Sequence, residues 1–148
     1  MRNILKKLSH LMANENVVKI CKIAFFPYIF CVLWITLINR ESKDIRYNLN
    51  LFWEYREFLF GPYRLFFLNQ IICNILMLMP LGFMLPVISR KVRKVKYIFV
   101  IACSFSIFIE IIQLITGRGL CEFDDVFNNT LGAIIGYFIY NKFKVKFK

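Results

Sequence analysis

Four long stretches of the chain carry almost no charge, and the charged residues are gathered between them. The uncharged runs are Ile23 to Asn39, Leu65 to Ser89, Tyr97 to Gly117, broken once by Glu110, and Val126 to Asn141. A helix needs about 20 residues, within a range of about 17 to 25, to cross the hydrocarbon layer of a bilayer. The first three runs reach that range, and the fourth is on the short side. The pattern predicts an all-α polytopic membrane protein, with four transmembrane helices in a single domain over residues 1–148. Lys19 and Lys22 precede the first run and can snorkel to the interface. Pro27 falls in its first turns, where a missing helical N–H matters least. That run lacks a small-residue cleavage site and continues to spanning length. It therefore reads as a helix that stays in place, with no cleavable export signal. In the second run, Pro80 and Gly82 predict a kink or local unwinding. Asp124 and Asp125 are expected to open the fourth helix, where carboxylates favour the positive end of the dipole.

Charge then gives the helices a direction. The N-terminal segment has Arg2, Lys6, Lys7, Lys19 and Lys22. The connection between runs two and three has Arg90, Lys91, Arg93, Lys94 and Lys96, and the tail has Lys142, Lys144, Lys146 and Lys148. With four spans these segments share one side, with fourteen basic residues against the single acid Glu15. The opposite side holds six basic residues and seven acids. The positive-inside rule then places both termini in the cytoplasm of a multi-pass cell-membrane protein. The long connection from Arg40 to Arg64 interleaves Glu54, Arg56 and Glu57 with Tyr47, Phe52, Trp53, Tyr55, Phe58, Phe60 and Tyr63. Two readings stand side by side there: a short interfacial helix over Leu51–Phe60 between spans one and two, or an aromatic-rich loop.

Composition removes several function classes. Apolar residues make up 59% of the 148 residues, more than one core of this size hides from water. A net charge of +11 would suit nucleic acid. Here, however, the charges sit in short segments between apolar runs and not on one water-exposed face, so no nucleic-acid partner is expected. Cys21, Cys31, Cys73, Cys103 and Cys121 are odd in number and show no CxxC spacing. They read as small, buried, inert thiols, with no metal site and no cofactor implied.

The polar residues inside the runs are the candidate chemistry. Glu110 is the one ionisable group within a run, and an intramembrane charge is a functional hypothesis by default. Gln113, three residues on, shares its side of the helix. In the fourth run Asp125, Asn129, Gly132 and Gly136 form one helical stripe. Gly132 and Gly136 make a GxxxG pair that lets another backbone approach. The second run adds Gln70 and Asn74, one turn apart. Arg118, in the short outer loop, is the expected counter-ion for Glu110 or Asp125. These groups are expected at one depth, either locking the bundle together or forming a site. His10, the sole histidine, is in the N-terminal segment, and neither a GxSxG elbow nor a phosphate-binding loop occurs. Paired carboxylates remain as acid–base candidates, alongside simple binding of a polar headgroup or sugar.

Several of these residues form a pattern. Glu110-Ile-Ile-Gln113, Gly117-Arg118-Gly119, Asp124-Asp125-Val126, Asn129-Thr130-Leu131-Gly132-Ala133 and Gly136-Tyr137 resemble the signature of the VanZ-like family. So does Asn74-Ile-Leu-Met-Leu-Met-Pro80-Leu-Gly82-Phe83, and more loosely Asn48-Leu49-Asn50-Leu51-Phe52. The resemblance runs from about residue 20 to residue 140. Leu51 replaces the family's proline, and Glu122-Phe123-Asp124-Asp125 stands for its acid-x-acid-acid group. The family is named for a protein associated with low-level teicoplanin resistance. The resemblance implies a small membrane protein acting at the outer face on a membrane lipid, a lipid-linked cell-envelope precursor or a lipoglycopeptide. It carries a ligand-binding or functional role onto Asn74, Glu110, Gln113, Arg118, Asp125 and Asn129, without assigning a reaction. Two other readings stay open: an enzyme modifying a lipid or lipid-linked sugar through Glu110 and Asp125, and an accessory subunit whose stripe packs on a partner. The oligomeric state is not legible in the sequence.

Overall fold

The computed structural model describes residues 15–42 and 44–144. Arg2, Lys6, Lys7, His10, Lys146 and Lys148 lie outside the described residues. The described elements are α1 (Glu15–Leu33), a π-helical turn (Trp34–Ile38), β1 (Tyr47–Asn48) and α2 (Trp53–Phe60). They continue with α3 (Arg64–Ile88), a 3₁₀ turn (Arg90–Val92), α4 (Val95–Thr116), β2 (Cys121–Glu122) and α5 (Phe123–Lys144).

Three helical stretches are long and apolar enough to cross a membrane: Val18–Ile38, Arg64–Ile88 and Val95–Thr116. The fourth expected span meets the length but not the composition. Helix α5 has 22 residues, about 33 Å at 1.5 Å per residue. Its first turns carry Asp124, Asp125, Asn128, Asn129 and Thr130, which dilute its apolar character.

Backbone-to-backbone packing of α3 and α5 sets the register. A Cβ on Gly132 would overlap the Ile75 carbonyl, one on Gly136 the Met79 carbonyl, and one on Gly82 the Ala133 carbonyl. The contacts climb both helices together, so α3 and α5 run in the same direction. The helix does not unwind at Pro80 and Gly82: it passes through Pro80 and Pro86 uninterrupted. Gly82 serves as a packing surface instead. The glycine stripe is thus filled by this chain's own α3. Around it Leu78, Leu81, Ile98, Ala102, Ile109, Ala133 and Tyr137 form the buried core, joined by Val32 of α1.

The chain is all-α apart from one short bridge, in which β1 and β2 pair in parallel, Tyr47 with Cys121 and Asn48 with Glu122. Two details are corrected. The short helix expected over Leu51–Phe60 begins at Trp53, after Phe52 takes a left-handed φ of 57°. The cysteines are free but not buried: Cys31 and Cys73 are exposed, and Cys21, Cys103 and Cys121 are intermediate. Those on the apolar helices lie at the surface that a bilayer would cover. Helix α4 ends where Gly117 turns left-handed (φ 63°) and the Arg118 amide donates to the Gln113 carbonyl at 3.1 Å, a Schellman-type close. At the other end of the bundle the Tyr137 hydroxyl donates to the Arg93 carbonyl at 3.0 Å, tying α5 to the α3–α4 turn.

Substituting Gly132 by leucine forces the α3 and α5 backbones apart. The expected loss is about 3 kcal/mol or more, the upper part of the range for overpacking a filled core. Ile111→Ala, at an exposed position, is expected to change stability by less than about 0.5 kcal/mol. Thermal unfolding of the two variants in detergent checks the contrast.

Candidate functional site

The acidic end of the bundle is assembled by a cap. Helix α2 has no side-chain cap of its own. Its first amides are instead taken by α5: the Phe52 and Glu54 amides donate to the two Asp124 carboxylate oxygens at 2.7 and 2.9 Å. A carboxylate on these orphan N–H groups satisfies them and opposes the helix dipole. Asp124 opens α5 as expected, but its side chain caps α2. This bond pattern points Glu54 into the bundle, where it is 1% exposed. There Glu54 Oε2 accepts from Asn128 Nδ2 at 3.0 Å. The Tyr55 hydroxyl donates to Asn128 Oδ1. Phe52 and Tyr55 pack their rings against Phe127 of α5 at 5.3 and 6.4 Å, forming an aromatic cover.

Three more acids meet beneath α2. Glu122 Oε1 accepts from the Trp53 indole N–H at 2.6 Å. Glu110 Oε2 accepts from the backbone amide of Glu122 at 2.9 Å. Asp125 Oδ1 accepts from the Asn74 amide of α3. The three buried residues Glu54, Glu122 and Asp125 each present a carboxylate oxygen within 4.8 Å of the others. Arg40 supplies positive charge to Glu110, Glu122 and Asp125.

The six residues expected to act together divide into two sets. Asn74, Glu110 and Asp125 lie in the acidic group. Asn129 lies one turn along α5 from Asp125 and donates its Nδ2 to Ser106 Oγ at 2.8 Å. Ser106 is itself one turn from Glu110 on α4. Gln113 and Arg118 turn away toward the end of α1. Gln113 Nε2 donates to the Thr36 carbonyl at 3.0 Å and Arg118 Nη1 to the Leu37 carbonyl at 3.1 Å. The charge acting on the carboxylates is that of Arg40, and Arg118 instead pins the π turn. Gln113 Oε1 and Asn129 Oδ1 are buried without a partner.

Sequence reasoning missed Glu54, Glu122, Asn128, Trp53 and Arg40 as members of the site. Only Glu122 left a signal, as the first acid of the Glu122-Phe123-Asp124-Asp125 group. Asn128 adjoins Asn129 but points about 100° away on the helix, off the recognised stripe.

Desolvation governs the two acids that lie outside the long helices. Burial, and then the charges of Asp125, Glu122 and Asp124, push the Glu54 carboxyl up to about 8 against the hydrogen bond from Asn128. Burial and the Asp125 charge push Glu122 up to about 7 against the Trp53 bond. Both groups hold a proton more tightly in the folded chain than in the unfolded one, where the ordinary value is 4.5.

A bundle of long apolar helices with carboxylates sealed at one end defines a helical membrane protein built around a buried polar group. The chain belongs to the VanZ/LLP1 family, whose model matches residues 25–144 and so takes in every residue of the acidic group. No curated protein and no solved structure matches the chain.

The pH dependence follows from the raised carboxyls. Their contribution to stability is complete below about pH 4.5 and is lost as pH rises through 7 to 8. Thermal unfolding in chelator-treated detergent solution is therefore expected to show a melting temperature that falls from pH 5 to pH 8.5, with a shallower fall in Glu54→Gln. Separately, Asp124→Ala uncaps α2 and is expected to cost about 2 kcal/mol, with faster hydrogen exchange at the Phe52 and Glu54 amides.

Proposed function

We propose that this chain is a four-span protein of the cell membrane, with both termini in the cytoplasm and the acidic end of the bundle at the outer face. There it takes a membrane lipid, a lipid-linked envelope precursor or a lipidated glycopeptide, and its presence lowers susceptibility to teicoplanin-type drugs. The observation that carries this reading is the carboxylate group of Glu54, Glu110, Glu122 and Asp125, buried at one end of apolar helices under an aromatic cover. So many desolvated acids are costly, and an arrangement with such a cost points to use beyond packing.

Three further features support it. Helix α5 runs alongside α3 and in the same direction, as a second and a fourth span must. Arg90, Lys91, Arg93, Lys94 and Lys96 lie at the end opposite the acids, in keeping with the positive-inside rule. A cavity of about 190 Å³ between α4 and α5, bordered by Phe99, Cys103, Phe127, Thr130, Leu131 and Ile134, is almost wholly apolar. It starts beside the Phe127 that packs on α2, so an acyl tail lying in it would bring its headgroup to the acids.

An enzymatic reading is favoured by one observation, the buried carboxylate oxygens of Glu54, Glu122 and Asp125 within 4.8 Å of one another. Carboxyls this close can divide into an acid and a base, as proton transfer to a lipid-linked sugar requires.

Expression in a susceptible host is expected to raise the inhibitory concentration of teicoplanin and to leave that of a glycopeptide without a lipid tail unchanged. An equal effect on both drugs would remove the lipid component of the reading. Glu54→Gln and Glu110→Gln keep shape while removing proton transfer, so a retained phenotype in both would end the enzymatic reading. For orientation, Cys121 opens β2, and its thiol is raised by burial and by the Glu110 charge. Labelling of intact cells by a membrane-impermeant maleimide at alkaline pH is expected to modify Cys121. Labelling seen only after permeabilisation would reverse the orientation.

A further inference from the structure

We infer that Glu54, Glu122 and Asp125 hold a hard divalent cation of calcium size, which fastens α2 onto β2 and the start of α5. Glu122 and Asp125 lie close in sequence, whereas Glu54 of α2 lies far from them, so one ion would join two distant parts of the chain. Their oxygens lie within 4.8 Å of one another. Calcium takes oxygen ligands at about 2.3–2.6 Å, so opposite ligands stand about 4.6–5.2 Å apart. For magnesium, at about 2.0–2.1 Å, the span is only about 4.0–4.2 Å. Calcium also accepts irregular protein cages, whereas magnesium demands near-ideal octahedral geometry and keeps several waters, so a buried all-protein group favours calcium. Carboxylate and amide oxygens are also the ligand type that hard cations select.

The surroundings are those of oriented ligands. Each carboxylate receives one neutral donor that fixes its direction: Asn128 on Glu54, Trp53 on Glu122 and Asn74 on Asp125. Metal sites orient their ligands in this way. The donors carry no charge, and among the described residues Arg40 is the cation that offsets a group including Glu110 as well.

A second observation, independent of the acids, also calls for a cation. Asn129 is 2% exposed and its Oδ1 has no partner. It lies one turn from Asp125 on the same stripe of α5. Its Nδ2 is held by Ser106, one turn from Glu110 on α4. The amide is thereby tied to α4, one turn from Asp125, with an acceptor left over. A proton satisfies one acceptor pair, whereas a cation satisfies several oxygens together.

The test uses the full chain purified in detergent, stripped with chelator and titrated with Ca²⁺ by equilibrium dialysis and by thermal unfolding. One Ca²⁺ per chain is expected, with a melting temperature that rises with Ca²⁺ concentration by mass action and a weaker response to Mg²⁺. Glu54→Gln and Glu122→Gln are expected to lose the bound ion. Asn74→Ala and Asn128→Ala, which leave all three ligands in place, are expected to weaken binding by about 10–100-fold. They carry the test if the ligand variants aggregate. Glu41→Gln, at an exposed position outside the group, should bind as the parent does. Absence of bound Ca²⁺ in the folded parent chain overturns the inference. So does binding of undiminished affinity in Asn74→Ala and Asn128→Ala. No lipid or drug enters the assay, so its outcome is separate from that of the susceptibility experiment.

Discussion

The arrangement depends on how closely the α3 and α5 backbones approach. Gly82, Gly132 and Gly136 leave no room for a side chain between the helices. A contact made by backbone cannot slide as side-chain packing can, because each carbonyl sits in the notch of a missing Cβ. In lipid, where apolar surface gives little reason for helices to associate, close contact of this kind is a main source of cohesion. It also sets the height at which Asn74 meets Asp125, and hence where the acids gather.

Burying those acids creates a second constraint. Carboxylates taken out of water must find donors, protons or cations. The chain draws on backbone amides and on neutral side chains from four segments. Asp124 takes two amides of α2, Glu110 takes the Glu122 amide, and Trp53, Asn74 and Asn128 serve the rest. Helix α2 is only eight residues long, too short to persist alone in water. It is held because the acids need its donors and its own first amides need Asp124. Cover and polar interior stabilise each other, so loss of one is felt by the other.

The long helices were legible because charge avoids the middle of a bilayer. The second and third runs agree with α3 and α4 to within two residues at each end. The first helix reaches back to Glu15, since Lys19 and Lys22 end an apolar run without ending a helix. Helix α5 begins before its run does, because its acids belong to its first turn. The Asp125–Asn129–Gly132–Gly136 stripe was readable from helical period alone. Glu54 was not, since its inward direction is set by Asp124, seventy residues away in sequence. Gln113 shares a side with Glu110 by spacing, and Arg118 follows in the outer loop as the expected counter-ion. The carbonyls that draw them away belong to a π turn that no local pattern announces.

That π turn bears on the order in which the molecule comes together. Helix α1 exposes Ile20, Ile23, Phe26 and Phe30 and is the first of the described helices to be synthesised. The bonds that hold it come from segments made later: the Met77 carbonyl that accepts from the Tyr28 hydroxyl, and the Gln113 and Arg118 side chains that reach Thr36 and Leu37. The widened turn leaves those two carbonyls free for partners absent until α4 is complete. The earliest helix is therefore fully fixed only after α4 has arrived, a latch closed by parts of the chain made long after it.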